Sequence, residues 1–96
     1  MKRQIEEKII TLHPLGKKGA NISLVKYQQI KDFIVETIAK HGEITFTKLS
    51  EIALKELTGK FDGKIKWYVV TVKLDLEARQ IIERIQKTTP QKLGLK

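Results

Sequence analysis

The last third of the chain constrains the fold most, because it joins a helical repeat to two short apolar runs. Apolar residues recur at helical spacing at Ile65, Val69, Val72 and Leu76. This spacing predicts one long helix over residues 64–79. Apolar residues at 81–85 and 93–95, with a polar stretch between them, predict a β-hairpin over residues 81–96. A long helix followed directly by a hairpin therefore forms half of the expected architecture.

Two further helices are predicted before the long one. The first begins at Ser23, whose hydroxyl suits an N-cap, and runs to Lys40, where Gly42 ends it. The second is expected to be capped by Thr47 and to bury one apolar face. Residues 43–45 are too few to form a strand alone. We therefore expect them to pair with the C-terminal hairpin.

The N-terminal segment leaves two alternatives open. Its apolar residues fit an amphipathic helix over residues 2–12, whereas the β-branched run at residues 9–11 fits the end of a strand. Residues 13–20 hold two glycines and two lysines after a proline, which is typical of an exposed loop. The spacing of a nucleotide-binding loop is not present. We divide the chain into an N-terminal extension, residues 1–21, and a domain, residues 22–96.

Net charge, the absence of cysteine and the lack of a long apolar run limit the kinds of protein and of binding partner to be considered. The formal net charge of +8 favours polyanionic partners, because cations that neutralise phosphates release condensed counterions. Cysteine is absent, which excludes disulfides and is compatible with a reducing cytoplasm. No run of about 18 apolar residues is present, and the N-terminus lacks a signal-peptide pattern. We expect a soluble cytoplasmic protein without a membrane partner.

Catalytic and metal-binding patterns are weak. His13 and His41 are far apart in sequence and have no nucleophile or carboxylate in a triad-like arrangement. Two histidines alone are too few to complete a metal site. We expect no enzyme activity, no cofactor, no metal and no small-molecule ligand.

The run from Val72 to Ile85 resembles the helix-to-wing junction of bacterial winged-helix regulators, in which a pattern close to L-E-x-x-G-hydrophobic-I-x-R recurs. Gln80 stands where those proteins usually have glycine. We expect Gln80 to adopt a left-handed conformation at a cost of about 1 kcal/mol. The resemblance covers residues 22–96. It implies an α+β fold of the winged-helix type, with a three-helix core and a C-terminal hairpin wing.

The whole chain also resembles a small uncharacterised family of single-domain bacterial proteins. The shared stretches are L-H-P-x-G-K-K-G, F-D-G-K and K-L-D-L-E-A-R. This second resemblance implies no activity.

The winged-helix resemblance implies double-stranded DNA as the partner and transcription regulation as the function. The long helix would meet the groove or its flanking phosphates, the wing would touch the backbone, and the start of the second helix would add a phosphate contact. The eight residues expected to contact DNA are Lys64, Lys66, Thr71 and Lys73 on the exposed side of the long helix, Arg84, Lys87 and Lys92 on the wing, and Lys48 on the second helix.

A second apolar stripe on the long helix favours a different hypothesis. Trp67, Val70 and Leu74 recur at positions i, i+3 and i+7, away from the face predicted to be buried. Side chains that read bases are usually polar, so this stripe is better suited to packing against the N-terminal segment, a second subunit or a protein partner. The alternative hypothesis is a winged helix that binds protein and no nucleic acid. A homodimer formed through the extension or the stripe is also considered.

Overall fold

Three helices and two antiparallel sheets make up the part of the chain that the computed structural model describes, residues 7–85 and 91–96. The predicted α+β class is confirmed. No helix in these residues is long and apolar enough to cross a membrane. In chain order the elements are β1 (Lys8–Ile10), β2 (Asn21–Ser23), α1 (Leu24–His41), β3 (Glu43–Thr45), α2 (Phe46–Leu57), α3 (Ile65–Ala78), β4 (Ile82–Ile85) and β5 (Lys92–Leu95).

The core lies between the three helices. Val69, Val72 and Leu76 of α3 are fully buried, and Ile65 packs at the edge of the same cluster, as the helical spacing predicts. Each such aliphatic side chain stabilises the fold by about 1.5–3 kcal/mol when it leaves water. Phe61 is buried beneath the connection between α2 and α3. The helical repeat of residues 64–79 therefore identified the main packing face correctly.

The C-terminal hairpin joins a three-stranded sheet in the order β3-β5-β4. Ile44 of β3 and Arg84 of β4 both pair with Leu93 of the central strand. Ile44 and Leu93 are buried, so this face of the sheet covers the helices. The predicted pairing of residues 43–45 with the hairpin is confirmed.

A second, two-stranded sheet forms at the N-terminal end, where β1 pairs with β2 in antiparallel register. Of the two alternatives for residues 2–12, the strand is confirmed over Lys8–Ile10, while residues 1–6 lie outside the described part of the chain. Strand β2 was not predicted, and it leads directly into α1 at Leu24. The loop of residues 11–20 connects the two strands.

The helix caps were predicted correctly in one case and wrongly in another. Ser23 caps α1 by accepting from the N–H of Lys26, and α1 ends before Gly42, as expected. The prediction that Thr47 caps α2 is wrong. Thr45 is the N-cap, with its hydroxyl oxygen 3.1 Å from the N–H nitrogen of Lys48. Strand β3 runs into α2 without a loop, so its last residue already has the extended backbone that an N-cap requires.

Helix α3 ends in a left-handed turn at Gln80, whose φ is 64°. The N–H of Gln80 donates to the carbonyl of Glu77, and the N–H of Ile81 donates to the carbonyl of Leu76. This pair of bonds is a Schellman motif, which needs a residue of positive φ between the helix and the following strand. The expected left-handed conformation of Gln80 is confirmed.

We predict that Gln80→Gly raises the free energy of unfolding by about 0.5–1 kcal/mol, because glycine adopts a positive φ without the Cβ penalty. Gly42→Ala is the matched control. Gly42 has a φ of 80° and open space around its Cα, so alanine there should lower the stability by about 1 kcal/mol. Urea unfolding measures both. A destabilised Gln80→Gly variant would contradict this account of the turn.

Candidate interaction face of helix α3

The outward face of α3 carries apolar side chains. Trp67 is 46% exposed and Val70 is 36% exposed, on the side of the helix away from its buried residues. Leu74 continues the same face and is half-buried. Leu12, which is 45% exposed, lies in the loop after β1 and lines a shallow hollow together with Leu74. We call Leu12, Trp67, Val70 and Leu74 the apolar patch.

Trp67 is held in place by a chain of aromatic contacts. Its ring meets the ring of Tyr68 edge to face, with centroids 4.9 Å apart, and Tyr68 meets buried Phe61 in the same way at 5.0 Å. Gly63 allows this arrangement, because a Cβ at that position would lie 2.9 Å from the Tyr68 ring. Such pairs add about 0.5–1.5 kcal/mol each beyond area burial. The exposed tryptophan is thus connected to the core.

Lysines lie on both sides of the apolar patch. Lys66 is exposed on one side of it, Lys64 is exposed at the N-terminal end of α3, and no side chain caps this helix. On the other side, Lys17 and Lys18 are exposed in the loop of residues 11–20, and Lys18 lines the same hollow as Leu74. The patch is therefore an apolar strip between two basic margins.

Two of the residues predicted to contact DNA are engaged in ion pairs with Glu77. The Lys73 ammonium lies 2.8 Å from one carboxylate oxygen of Glu77, and the Arg84 Nε lies 3.0 Å from the other. The side chains of Lys73 and Glu77 are only 13% and 7% exposed. Lys73 also lies over the ring of Phe46. The prediction that Lys73 is exposed is wrong, because its side chain lies over Phe46 and against Glu77. Whether Lys73 contacts DNA is not tested by its burial and stays a prediction.

The remaining predicted DNA contacts lie on different surfaces. Lys48 is exposed at the start of α2, with its ammonium 4.0 Å from Glu51. Arg84 is paired with Leu93, so both side chains lie on the same face of the sheet. Lys92 precedes Leu93 in β5, so its side chain lies on the opposite face. Thr71 is half-buried beside the loop of residues 11–20, and Lys87 lies outside the described residues. Lys64 and Lys66 are both exposed at the start of α3 but, two residues apart, point to different sides of the helix. The structure does not bring the predicted set together on one surface.

A buried carboxylate on α3 was missed by sequence reasoning. Asp75 is fully buried and accepts hydrogen bonds from three directions. The Tyr27 hydroxyl donates to one of its oxygens, the N–H of Leu12 donates to the other over 2.8 Å, and the Arg79 Nε lies 2.9 and 3.0 Å from the two. The i,i+4 spacing of Asp75 and Arg79 is the signal that indicates an ion pair. Asp75 thus joins α1, α3 and the loop after β1.

The same loop is closed at its base by Thr11. The Thr11 N–H donates to the carbonyl of Ala20, and the Ala20 N–H donates to the Thr11 hydroxyl, each over 2.8 Å. Gly19 makes this closure possible, since a Cβ there would lie 1.7 Å from the Thr11 carbonyl oxygen. The position of Leu12 in the apolar patch therefore depends on Thr11 and Asp75. Among the described residues, no three His, Cys, Asp or Glu side chains gather as metal ligands.

Burial, together with the hydrogen bond to Asp75, raises the pKa of Tyr27 to about 12. The hydrogen bond to Asp75 also raises the pKa of Arg79. The phenol of an unfolded chain loses its proton near pH 10. Between about pH 10 and about pH 12 the unfolded state therefore binds fewer protons than the native state, and stability falls as the pH rises.

We predict that wild-type protein is more stable than Tyr27→Phe by about 1–3 kcal/mol at neutral pH, because the variant removes one of the three donors to the buried Asp75 carboxylate. This advantage should shrink by on the order of 2 kcal/mol as the pH rises from about 9 to about 12. Denaturant unfolding of both proteins across this range measures it. Tyr68→Phe is the control for general alkaline effects. A constant difference at all pH values would contradict the proposed environment of Tyr27.

Comparison with known proteins gave one family match. No curated protein and no solved structure matches the chain significantly. Residues 8–93 match the model of a family of unknown function, DUF6958. The matched residues include the β1–β2 hairpin, the three helices and most of the C-terminal sheet. The chain belongs to the DUF6958 family.

Proposed function

We propose that this chain is a winged-helix module that acts in the cytoplasm by binding another protein through the outward face of α3. The fold assignment is supported by the order α1, β3, α2, α3, β4, β5 and by the pairing of β3 with β5. The left-handed turn between α3 and β4 also supports it. Fold alone does not determine function, so the functional proposal is argued from the surface of α3.

The exposure of Trp67 carries the proposal. A tryptophan that is 46% exposed and held against Tyr68 presents a large rigid surface at little further cost in conformational entropy. Tryptophan is one of the residue types enriched among the side chains that dominate binding energy in protein interfaces. The adjoining residues Leu12, Val70 and Leu74 offer apolar contact and no hydrogen-bonding side-chain groups. A helix that reads base edges would present donors and acceptors here.

We predict that a photo-cross-linking amino acid at position 70, introduced in the cells that make this protein, forms a discrete adduct with one other protein. Trp67→Ala should abolish the adduct, because it removes the largest contact beside position 70. The matched control places the cross-linker at position 54, where Leu54 is 43% exposed on α2. Equal adducts at positions 54 and 70, or an adduct that survives Trp67→Ala, would contradict the proposal.

Duplex DNA is the second candidate partner, and Lys64 and Lys66 favour it. Both are exposed in or beside the first turn of α3, where the N–H groups of the helix have no side-chain cap. The N-terminus of a helix attracts phosphate through these groups and the helix dipole. The net charge of +8 adds general attraction to nucleic acid. In this case the start of α3 would contact the DNA backbone, as in a regulator.

We predict that substitutions on α3 distinguish a specific DNA site from attraction by net charge alone. If α3 contacts DNA, Lys66→Ala should lower the slope of log K against log salt by about one, and Glu77→Gln should raise the affinity by releasing Lys73 and Arg84. Lys55→Ala, on the exposed surface of α2, is the matched control. Fluorescence anisotropy at several salt concentrations measures all four proteins. Equal effects of Lys66→Ala and Lys55→Ala would indicate attraction by net charge and reject a DNA site on α3.

A further inference from the structure

The apolar patch has the shape of a ridge beside a groove. Trp67 and Val70 form the ridge along α3. The hollow next to it has a volume of about 180 Å³ and is lined by Leu12, Thr71 and Leu74, with the loop of residues 11–20 as its far wall. Thr71 and Leu74 lie one helical turn apart, so the hollow offers room for an apolar side chain beside the ridge. An amphipathic helix suits such a surface, because its apolar side chains recur at i, i+3 or i+4, and i+7.

The charges around this groove have one dominant sign. Lys66 lies on one margin, Lys17 and Lys18 lie in the loop on the other, and Lys64 lies at the N-terminal end of the patch. The acidic groups nearby offset little of this charge. Glu77 is 7% exposed and already paired with two cations, and Asp62 is a fully exposed charge before the start of α3, 4.0 Å from Lys26 of α1.

One more carboxylate, Glu83, lies beyond Leu74. It lines a separate hollow of about 540 Å³ that also contains Lys17, Arg84 and Lys96. Glu77 lines this hollow too and is paired with Arg84, which leaves two lysines, Lys17 and Lys96, with one further carboxylate, Glu83. Cationic side chains therefore predominate on both margins of the groove and at its C-terminal end.

This pattern distinguishes between the possible occupants. A second copy of the chain would bring lysines against lysines, and like charges that meet in an interface oppose association. Nucleic acid would satisfy the lysines and leave the apolar ridge without contacts. We propose, on the basis of the protein-binding function above, that the occupant is an amphipathic helix of the partner with acidic residues on both sides of its apolar stripe.

A display selection tests this inference. A library of helix-forming peptides of about 15 residues, with apolar anchors fixed and flanking positions randomised, is selected on the full-length chain and counter-selected on Trp67→Ala. We expect Asp and Glu to be enriched at the flanking positions. The best selected peptide should bind Lys66→Glu about tenfold more weakly than wild type. A peptide with lysine in place of one flanking acid should recover binding to Lys66→Glu.

The chain offers a direct reporter, because Trp67 is its single tryptophan. Peptides without tryptophan should shift the emission of Trp67 to shorter wavelength on binding. Unfolding curves of Trp67→Ala and Lys66→Glu confirm that both variants are folded. Leu54→Ala is the control for an exposed apolar residue outside the patch.

The outcomes separate the inference from the function on which it rests. Selected peptides that need Trp67 but show no preference for acidic flanks would overturn the inference and leave the protein-binding function standing. No peptide that distinguishes wild type from Trp67→Ala would overturn both. A concentration-dependent dimer that buries Trp67, measured by sedimentation, would overturn the inference in favour of a second copy as the occupant.

Discussion

The buried carboxylate of Asp75 is the interaction on which the arrangement of this protein depends. Removing a charge from water costs several kcal/mol unless partners replace the lost solvation, and Asp75 has three of them. Tyr27 comes from α1, Arg79 from the end of α3, and the Leu12 N–H from the loop after β1. The N-terminal hairpin is therefore positioned on α3 by a satisfied polar network. Without Asp75, Leu12 would lose its bond to α3, and only the Thr11–Ala20 closure would hold this wall of the groove.

Charge on α3 is largely neutralised within the fold. Its two carboxylates, Asp75 and Glu77, are both buried and interact with three cations, Lys73, Arg79 and Arg84. These pairs stabilise the junction between the helix and the C-terminal sheet, and they leave the outward face of α3 with apolar side chains at its centre. The basic margins come instead from the start of the helix and from the loop of residues 11–20. The paired charges of α3 and the exposed residues Trp67 and Val70, which are proposed to bind protein, are thus different residues of one helix, so Trp67 and Val70 can be substituted without breaking these ion pairs.

Much of this architecture could be predicted from periodicity and capping. The buried face of α3, the cap at Ser23 and the left-handed Gln80 each have a local physical cause that the sequence displays. The apolar stripe containing Trp67 was recognised by the same spacing. Strand β2 was missed because three residues show no period, and its pairing with β1 is a tertiary contact. The burial of Asp75 and Glu77 was missed for a related reason: their partners Tyr27 and Arg84 lie on other elements of the fold.

The accessibility of Trp67 tests the central claim most directly. Acrylamide quenching of tryptophan emission reports on one residue, since the chain contains a single tryptophan. We predict that acrylamide quenches Trp67 efficiently in the isolated protein. The partner protein identified by cross-linking at position 70 should protect Trp67 from quenching, and duplex DNA at physiological salt should not. Protection of Trp67 in the isolated protein at low concentration, or by duplex DNA alone, would contradict the claim that the outward face of α3 is a protein-binding surface.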